Sequence, residues 1–146
     1  MVAIKDVQVS NSQIKSTYPS GLVAVFVGST SGIGEYALKE FAYRTHQPRI
    51  YFVGRSQESA DKILSILKSL NPDGEYTFLK CDTSLLRNVD DLCRDIKKTE
   101  SSINVLFMSQ GTLKFNAGNY PQLPDICHAV YSLSQTQQKA STISPQ

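Results

Sequence analysis

The sequence predicts an α/β fold built on a parallel sheet. Short apolar runs alternate with longer stretches in which apolar residues recur at helical spacing, so strands and helices follow one another along the chain. Parallel strands need crossover connections of this kind. The chain has 146 residues, of which 40% are hydrophobic, and this is enough for one compact domain with a core. We therefore expect one α/β domain with about four strands and helices on both faces of the sheet.

Each element has its own signal in the sequence. The apolar, largely β-branched run at 22–27 suits a central strand that is covered on both faces. Apolar positions at helical spacing over 36–42 predict a helix, which should end before Pro48 because proline disfavours helix in its predecessor. The later elements alternate in the same way. We predict strands at 50–53, 76–81 and 103–108, a helix capped by Ser56, and a helix over 85–96.

Composition divides the chain into three parts. Residues 1–21 are rich in Ser, Asn, Gln and Lys, and we interpret them as an N-terminal arm whose function the sequence does not show. Residues 22–115 carry the alternating pattern of strands and helices. Residues 116–146 lose that pattern and end in a Ser-, Gln- and Thr-rich segment, which predicts an irregular, disordered tail with one apolar patch at 126–133.

Charge and cysteine content argue against several functions. Fifteen basic and thirteen acidic residues are scattered without a basic block, so nucleic acids and anionic membranes are poor partners. The three cysteines form no CxxC pair and only two histidines accompany them, so we predict reduced thiols and no metal site. Lys5 and Asp6 come before any apolar stretch long enough for a signal peptide or membrane span. We expect a soluble cytoplasmic protein.

The most informative motif follows the first strand and contains three glycines in seven residues. Gly28 permits a tight turn, Gly32 leaves no side chain between the backbone and a bound pyrophosphate, and Gly34 lets the next helix pack closely. The free N–H groups and positive dipole at the start of that helix would face the phosphates. The hydroxyls of this loop suit either phosphate oxygens or turn formation. The sequence therefore predicts a dinucleotide site at Gly28, Ser29, Thr30, Ser31, Gly32, Ile33 and Gly34.

The end of the second strand indicates which dinucleotide is bound. NAD-specific sites place an acidic residue there, whose carboxylate accepts hydrogen bonds from the ribose hydroxyls. This chain has Gly54 and Arg55 instead. The guanidinium of Arg55 presents a planar fork of donors that suits a 2′-phosphate. The sequence thus favours NADP over NAD, and it argues against a methyltransferase, which needs an acid at this place.

Two further positions follow the third and fourth strands. Asp82 would accept a hydrogen bond from an adenine amino group or cap the next helix with the same oxygens. Gly111 would admit a nearby ribose or simply turn the chain. The strand order that we predict, 3-2-1-4, places a ligand across the point between strands one and four.

These motifs resemble those of the short-chain dehydrogenase/reductases, in particular the NADP-type reductases of fungal secondary metabolism. The resemblance covers 22–111, with Val27 where Thr is usual and Ser109-Gln110-Gly111 where Asn-Ala-Gly is usual. These two departures should weaken hydrogen bonding between the loop and the strands. The resemblance implies a Rossmann-type doubly wound sheet, NADP selected by Arg55, adenine contacted by Asp82, and hydride transfer between a ketone and an alcohol.

The resemblance also implies catalytic residues that this chain does not match. In the family, a Ser and a Tyr-xxx-Lys pair follow the fourth strand. The sole Tyr-xxx-Lys of this sequence is Tyr76 and Lys80, which fall in a predicted strand. Four residues of strand span about 13 Å, whereas a helix would bring such a pair to about 6 Å. We therefore assign no catalytic residue.

Three functions stay open at this point. The chain is an NADP-dependent oxidoreductase acting on a small carbonyl compound or alcohol, a non-catalytic NADP(H)-binding pseudoenzyme, or an inactive truncated gene product. The fourth predicted strand would be an exposed apolar edge. Either the apolar patch at 126–133 covers that edge, or another chain pairs with it, which includes a second copy in a homo-oligomer.

Overall fold

The computed structural model describes residues 2–110, and these fall into two units. The first unit contains residues 2–80 and 103–110, and the second contains residues 81–102. Three predictions lie outside the described residues: the tail at 116–146, its apolar patch at 126–133, and the cofactor contact at Gly111.

The first unit is organised around a four-stranded parallel sheet. Its central strand β1 (Val23–Val27) pairs with β2 (Arg49–Gly54) on one side and with β4 (Val105–Met108) on the other, and β2 pairs with β3 (Glu75–Lys80). The strand order β3-β2-β1-β4 is the one predicted, and it confirms the Rossmann-type fold class. All five residues of β1 are buried, as its apolar sequence requires of a strand covered on both faces.

The helices account for the connections between the strands. Helix α3 (Gly32–Arg44) joins β1 to β2, helix α4 (Gln57–Leu70) joins β2 to β3, and helix α5 (Leu86–Thr99), in the second unit, lies between β3 and β4 in the chain. Ser56 caps α4 as predicted, since its hydroxyl accepts a hydrogen bond from the Ser59 N–H. No helix within residues 2–110 is both long enough and apolar enough to cross a membrane.

One face of the sheet carries the core of the first unit. Alternate residues of the strands point to the same face, and there they pack against the apolar stripes of α3 and α4. Aromatic rings extend the core to both edge strands, with centroids 5.4 Å apart for Phe26 and Phe107 and 5.1 Å apart for Phe52 and Phe78. The buried members are Ala24, Phe26, Leu38, Ala42, Ile50, Phe52, Ala60, Ile63 and Leu67.

Strand β4 forms one edge of the described sheet. Asn104 fixes its start, because the Asn104 N–H donates to the Val23 carbonyl and the Asn104 side-chain oxygen accepts from the Val23 N–H, each at 2.9 Å. Leu106 and Met108 are exposed. Pairing of another chain with this edge stays a prediction.

The N-terminal arm contains two helices that the sequence analysis did not predict, α1 (Ile4–Ser12) and α2 (Ile14–Thr17). Neither helix has a buried residue, and Ile4 is 76% exposed. The ammonium of Lys15 lies 5.5 Å from the centroid of the Tyr43 ring on α3. These helices gave little signal in the sequence because they bury no apolar face.

A buried asparagine connects α3, α4 and β3. The side-chain nitrogen of Asn71 donates to the carbonyls of Ala42 and Thr45 at 2.9 and 3.0 Å. The carbonyl of Asn71 accepts a hydrogen bond from the Tyr76 hydroxyl at 2.8 Å. Burial, together with the nearby Asp73 carboxylate, raises the pKa of Tyr76 above its ordinary value of 10.0. Tyr76 is therefore a structural residue of β3, held in its neutral form.

This raised pKa predicts a pH dependence of stability. As the pH rises past 10.0, the unfolded chain loses the Tyr76 proton before the folded chain does, so the free energy of unfolding should fall. Tyr76→Phe should lower stability by a constant amount for the lost hydrogen bond and should make the fall above pH 10.0 shallower. Urea unfolding on both sides of this pH measures both effects. An unchanged slope in the variant would contradict the assignment.

Candidate dinucleotide-binding site

The glycine-containing loop runs from the end of β1 into the first turn of α3. Gly28 has a φ of +81° and Gly32 a φ of +61°, so both adopt the left-handed conformation that glycine tolerates and other residues rarely adopt. The Gly28 N–H donates to the Val53 carbonyl at 3.1 Å. The first residue of the loop is thus hydrogen-bonded to β2.

Gly28 and Gly34 lie where the backbone leaves no room for a side chain. A Cβ added at Gly28 would lie 2.6 Å from the backbone nitrogen of Gln110. A Cβ added at Gly34 would lie 2.6 Å from the carbonyl oxygen of Gly28 and 2.9 Å from the Cα of Ser29. The predicted close packing of the helix at Gly34 is therefore present. Gly28 serves more than the turn, since it also admits the chain that follows β4.

Gly32 differs from these two glycines because a Cβ there would meet no atom within 4 Å. It begins α3, and among the described residues the N-cap Ser31 makes no capping hydrogen bond through its side chain. The first N–H groups of α3 thus keep the capacity to bind an anion beside open space. This arrangement fits a diphosphate group.

The three hydroxyls of the loop have different surroundings. Ser29 is fully buried and its hydroxyl donates to the Phe26 carbonyl at 3.2 Å, which is turn formation rather than an exposed phosphate contact. The Thr30 side chain packs on Gly54, where an added Cβ would lie 3.0 Å from the Thr30 Oγ1. Ser31 is exposed. Of the three side chains, that of Ser31 is the one best placed to meet a ligand.

Ser109 connects the loop to β4, a contact that the sequence analysis missed. Its N–H donates to the Val27 carbonyl at 2.9 Å and its hydroxyl donates to the Gly28 carbonyl at 3.2 Å. Ser109 stands where the short-chain dehydrogenase/reductases usually have Asn. The hydroxyl thus provides a loop-to-strand hydrogen bond despite this departure.

Arg55 lies at the end of β2, next to the loop. The contact of Thr30 with Gly54 brings the loop against this end of the strand. The Arg55 side chain is exposed, and within residues 2–110 it has neither a hydrogen bond nor an ion pair. The acidic residue in the first turn of α3, Glu35, is bound by Lys39. The charge of Arg55 is therefore available to an anionic ligand.

Asp82 belongs to the second unit and does not cap a helix. Its carboxylate accepts hydrogen bonds from the Ser84 N–H at 3.1 Å and from the Ser84 hydroxyl at 2.8 Å, which closes a tight turn. Helix α5 begins at Leu86, two residues after Ser84, and its N-cap is Leu85. The capping alternative is wrong because the turn ends before the helix begins. Contact with an adenine group stays a prediction.

No catalytic pair or metal cluster is found in the described part of the chain. Tyr76 and Lys80 lie on β3 as predicted, so their spacing is that of a strand. The thiols of Cys81 and Cys93 are free, and burial raises the pKa of each above 9.0, which keeps them protonated. Residues 2–110 contain no group of three His, Cys, Asp or Glu side chains that would hold a metal ion.

Comparison with known proteins identifies fungal oxidoreductases as relatives. The NmrA-like family domain-containing oxidoreductase notO of Aspergillus sp. is 44% identical over 117 residues, which are 79% of this chain and 35% of that protein. Oxidoreductase andH of Emericella variicolor is 41% identical over 77% of this chain and 33% of its own length. The short-chain dehydrogenase/reductase SAT2 of Stachybotrys chartarum is 32% identical over 56% of this chain and 25% of its own length. No family model matches.

Solved structures show the same fold. The bulky-bulky ketone specific alcohol dehydrogenase of Comamonas testosteroni superposes with a TM-score of 0.63 at 18% identity, over 80% of this chain and 50% of that one. The L-sorbose reductase of Gluconobacter frateurii, solved with NADPH and L-sorbose, gives a TM-score of 0.60 at 20% identity, over 80% of this chain and 46% of that one.

These findings confirm the resemblance seen in the motifs. The chain is homologous to fungal oxidoreductases, some of them named short-chain dehydrogenase/reductases, and its sheet has the fold of that class. It spans about a third of the length of the notO and andH oxidoreductases.

The close approach at Gly34 predicts a large effect of a small substitution. Gly34→Ala forces the Gly28 carbonyl and the Ser29 backbone to move, so it should destabilise the chain by more than Gly21→Ala does. Gly21 is the matched control because it has a φ of +78° and open space around its Cβ position. That control should cost about 1–2 kcal/mol for the left-handed conformation alone. Urea unfolding of both variants checks the order, and equal destabilisation would contradict it.

Proposed function

We propose that this chain binds NADP(H) and forms the cofactor-binding part of an oxidoreductase of the short-chain dehydrogenase/reductase type. The observation that carries this proposal is the loop after β1. Backbone atoms leave no room for a side chain at Gly28 and Gly34, whereas Gly32, at the start of α3, faces open space. A loop that only turns the chain would not need an open helix terminus without a side-chain cap next to Arg55, whose side chain has no partner within residues 2–110.

Each part of the cofactor has residues that suit it. The N–H groups at the start of α3 bind the diphosphate, and the Ser31 hydroxyl adds a donor. The guanidinium of Arg55 binds the 2′-phosphate. An acidic residue at this position, as in NAD-specific sites, would repel that phosphate. The contact of Asp82 with the adenine amino group stays a prediction from the sequence, as does the ribose contact of Gly111, which lies outside the described residues. When bound, the nicotinamide ring supplies or accepts the hydride.

The relatives support the class of reaction. Fungal proteins named oxidoreductases match most of this chain, and the enzymes of similar fold include a bulky-bulky ketone specific alcohol dehydrogenase and an L-sorbose reductase. We propose a small carbonyl compound or alcohol as the substrate, in the biosynthesis of a fungal secondary metabolite. We place the protein in the cytoplasm, where the Cys81 and Cys93 thiols stay reduced.

A second candidate function is NADP(H) binding without hydride transfer. One observation favours it: Tyr76 and Lys80, the Tyr-xxx-Lys pair of this sequence, lie on β3 and not on a helix. Tyr76 is moreover hydrogen-bonded to the Asn71 carbonyl, and its raised pKa makes it a poor proton donor or acceptor at neutral pH.

Measurement of binding and turnover on the same purified chain separates these two functions. Calorimetric titration with NADPH gives the affinity, and NADPH oxidation with a panel of ketones, followed at the nicotinamide absorbance, gives the turnover. We expect binding in both cases, and turnover only if the chain catalyses the reaction itself. The absence of binding to NADPH and NADH by folded protein would refute both candidates.

The preference for NADP predicts the effect of reversing one charge. Arg55→Asp removes the donors for the 2′-phosphate and adds repulsion, so NADPH affinity should fall by about tenfold or more. NADH lacks that phosphate, and its affinity should not fall. Lys68→Asp is the control, because it makes the same charge change on an exposed residue in the last turn of α4. Unchanged NADPH affinity in Arg55→Asp would remove the reason for choosing NADP.

A further inference from the structure

One polar atom of the Gln110 side chain is buried without a hydrogen bond to the described residues. This atom is the amide oxygen Oε1. The residue as a whole is half-buried, so part of the side chain still reaches the surface. Buried acceptors in folded proteins nearly always have a partner, and an exception calls for a physical explanation.

The position of Gln110 supplies that explanation. Its backbone nitrogen and Cα lie 2.6 and 2.7 Å from the Cβ position of Gly28, so it rests directly on the first glycine of the loop. The neighbouring Ser109 is hydrogen-bonded to the Gly28 carbonyl. The backbone of Gln110 therefore lies against the loop proposed to bind the dinucleotide, and its carboxamide extends from that place.

The acceptor character of the Gln110 oxygen restricts which groups of a ligand it can bind. The Gln110 oxygen is an acceptor, so it suits a hydroxyl donor and repels phosphate oxygens, which are acceptors themselves. The hydroxyl groups of a nicotinamide dinucleotide are those of its two riboses. The residue usual at this place in the short-chain dehydrogenase/reductases is Ala, which has no acceptor on its side chain, so any such contact is a property of this chain.

We propose that Gln110 is a binding residue of the cofactor site, whose side-chain oxygen accepts a hydrogen bond from a ribose hydroxyl of the bound dinucleotide. This inference rests on the proposed function. The terminal torsion of a glutamine side chain is broad, so the oxygen turns toward a ligand at the loop by rotation about that bond. A bound hydroxyl then provides the partner that the described protein groups do not.

Calorimetric titration with NADPH tests the inference in wild type, Gln110→Met and Gln8→Met. Methionine keeps the length of the side chain and removes the acceptor, whereas Gln8 is an exposed residue of α1 and serves as the control. We expect Gln110→Met to weaken NADPH binding by about threefold to tenfold, the worth of one hydrogen bond. Its unfolding midpoint should stay the same or rise, because the variant no longer buries an unpaired acceptor. Should Gln110→Met fail to fold, Gln110→Ala replaces it in the same titration.

Fragments of the cofactor identify the ribose. The affinity of 2′,5′-ADP falls in Gln110→Met if the adenosine ribose is the donor, and the affinity of reduced nicotinamide mononucleotide falls if the other ribose is. Either result supports the inference. Equal NADPH affinity of wild type and Gln110→Met would overturn it and leave the proposed function standing. Failure of the wild type to bind NADPH or NADH would overturn both.

Discussion

The structure depends on the contact of three backbone segments at the end of β1. The loop at Gly28, the first turn of α3 at Gly34 and the chain after β4 at Ser109 and Gln110 approach one another so closely that a single Cβ would force them apart. Such contact is open only to glycine, because every other residue carries an atom at that place. The start of α3 is thereby fixed directly beyond the sheet, and with it the N–H groups that suit a diphosphate.

The central strand β1 connects this backbone contact to the rest of the first unit. Strand β1 pairs with both β2 and β4, so the loop at its end lies between the ends of two neighbours. Hydrogen bonds of Asn104 at the start of β4 and of Ser109 at its end hold that strand in register with β1. A site at this place is therefore supported by the most buried strand of the sheet, and Arg55, which follows β2, is the residue proposed to select the cofactor.

Patterns confined to a few neighbouring residues were sufficient for most of the fold. The strands and the helices α3, α4 and α5 were predicted within a few residues, because each buries an apolar stripe or run that the sequence displays. Helices α1 and α2 were missed since none of their residues is buried. The alternative of Asp82 as a helix cap was wrong because Ser84, two residues further on, engages its carboxylate in a turn.

The sequence by itself determined the order of the elements, the glycine loop and the arginine after β2, since each of these depends only on residues that are close together in the chain. Only the tertiary structure decided what the loop side chains do. It turned the Ser29 hydroxyl inward to Phe26, gave Ser109 a bond to the Gly28 carbonyl, and left the Gln110 oxygen without a donor among residues 2–110. Ser109 and Gly28 are 81 residues apart in the chain, and contacts over such a separation exist only after the strands have paired.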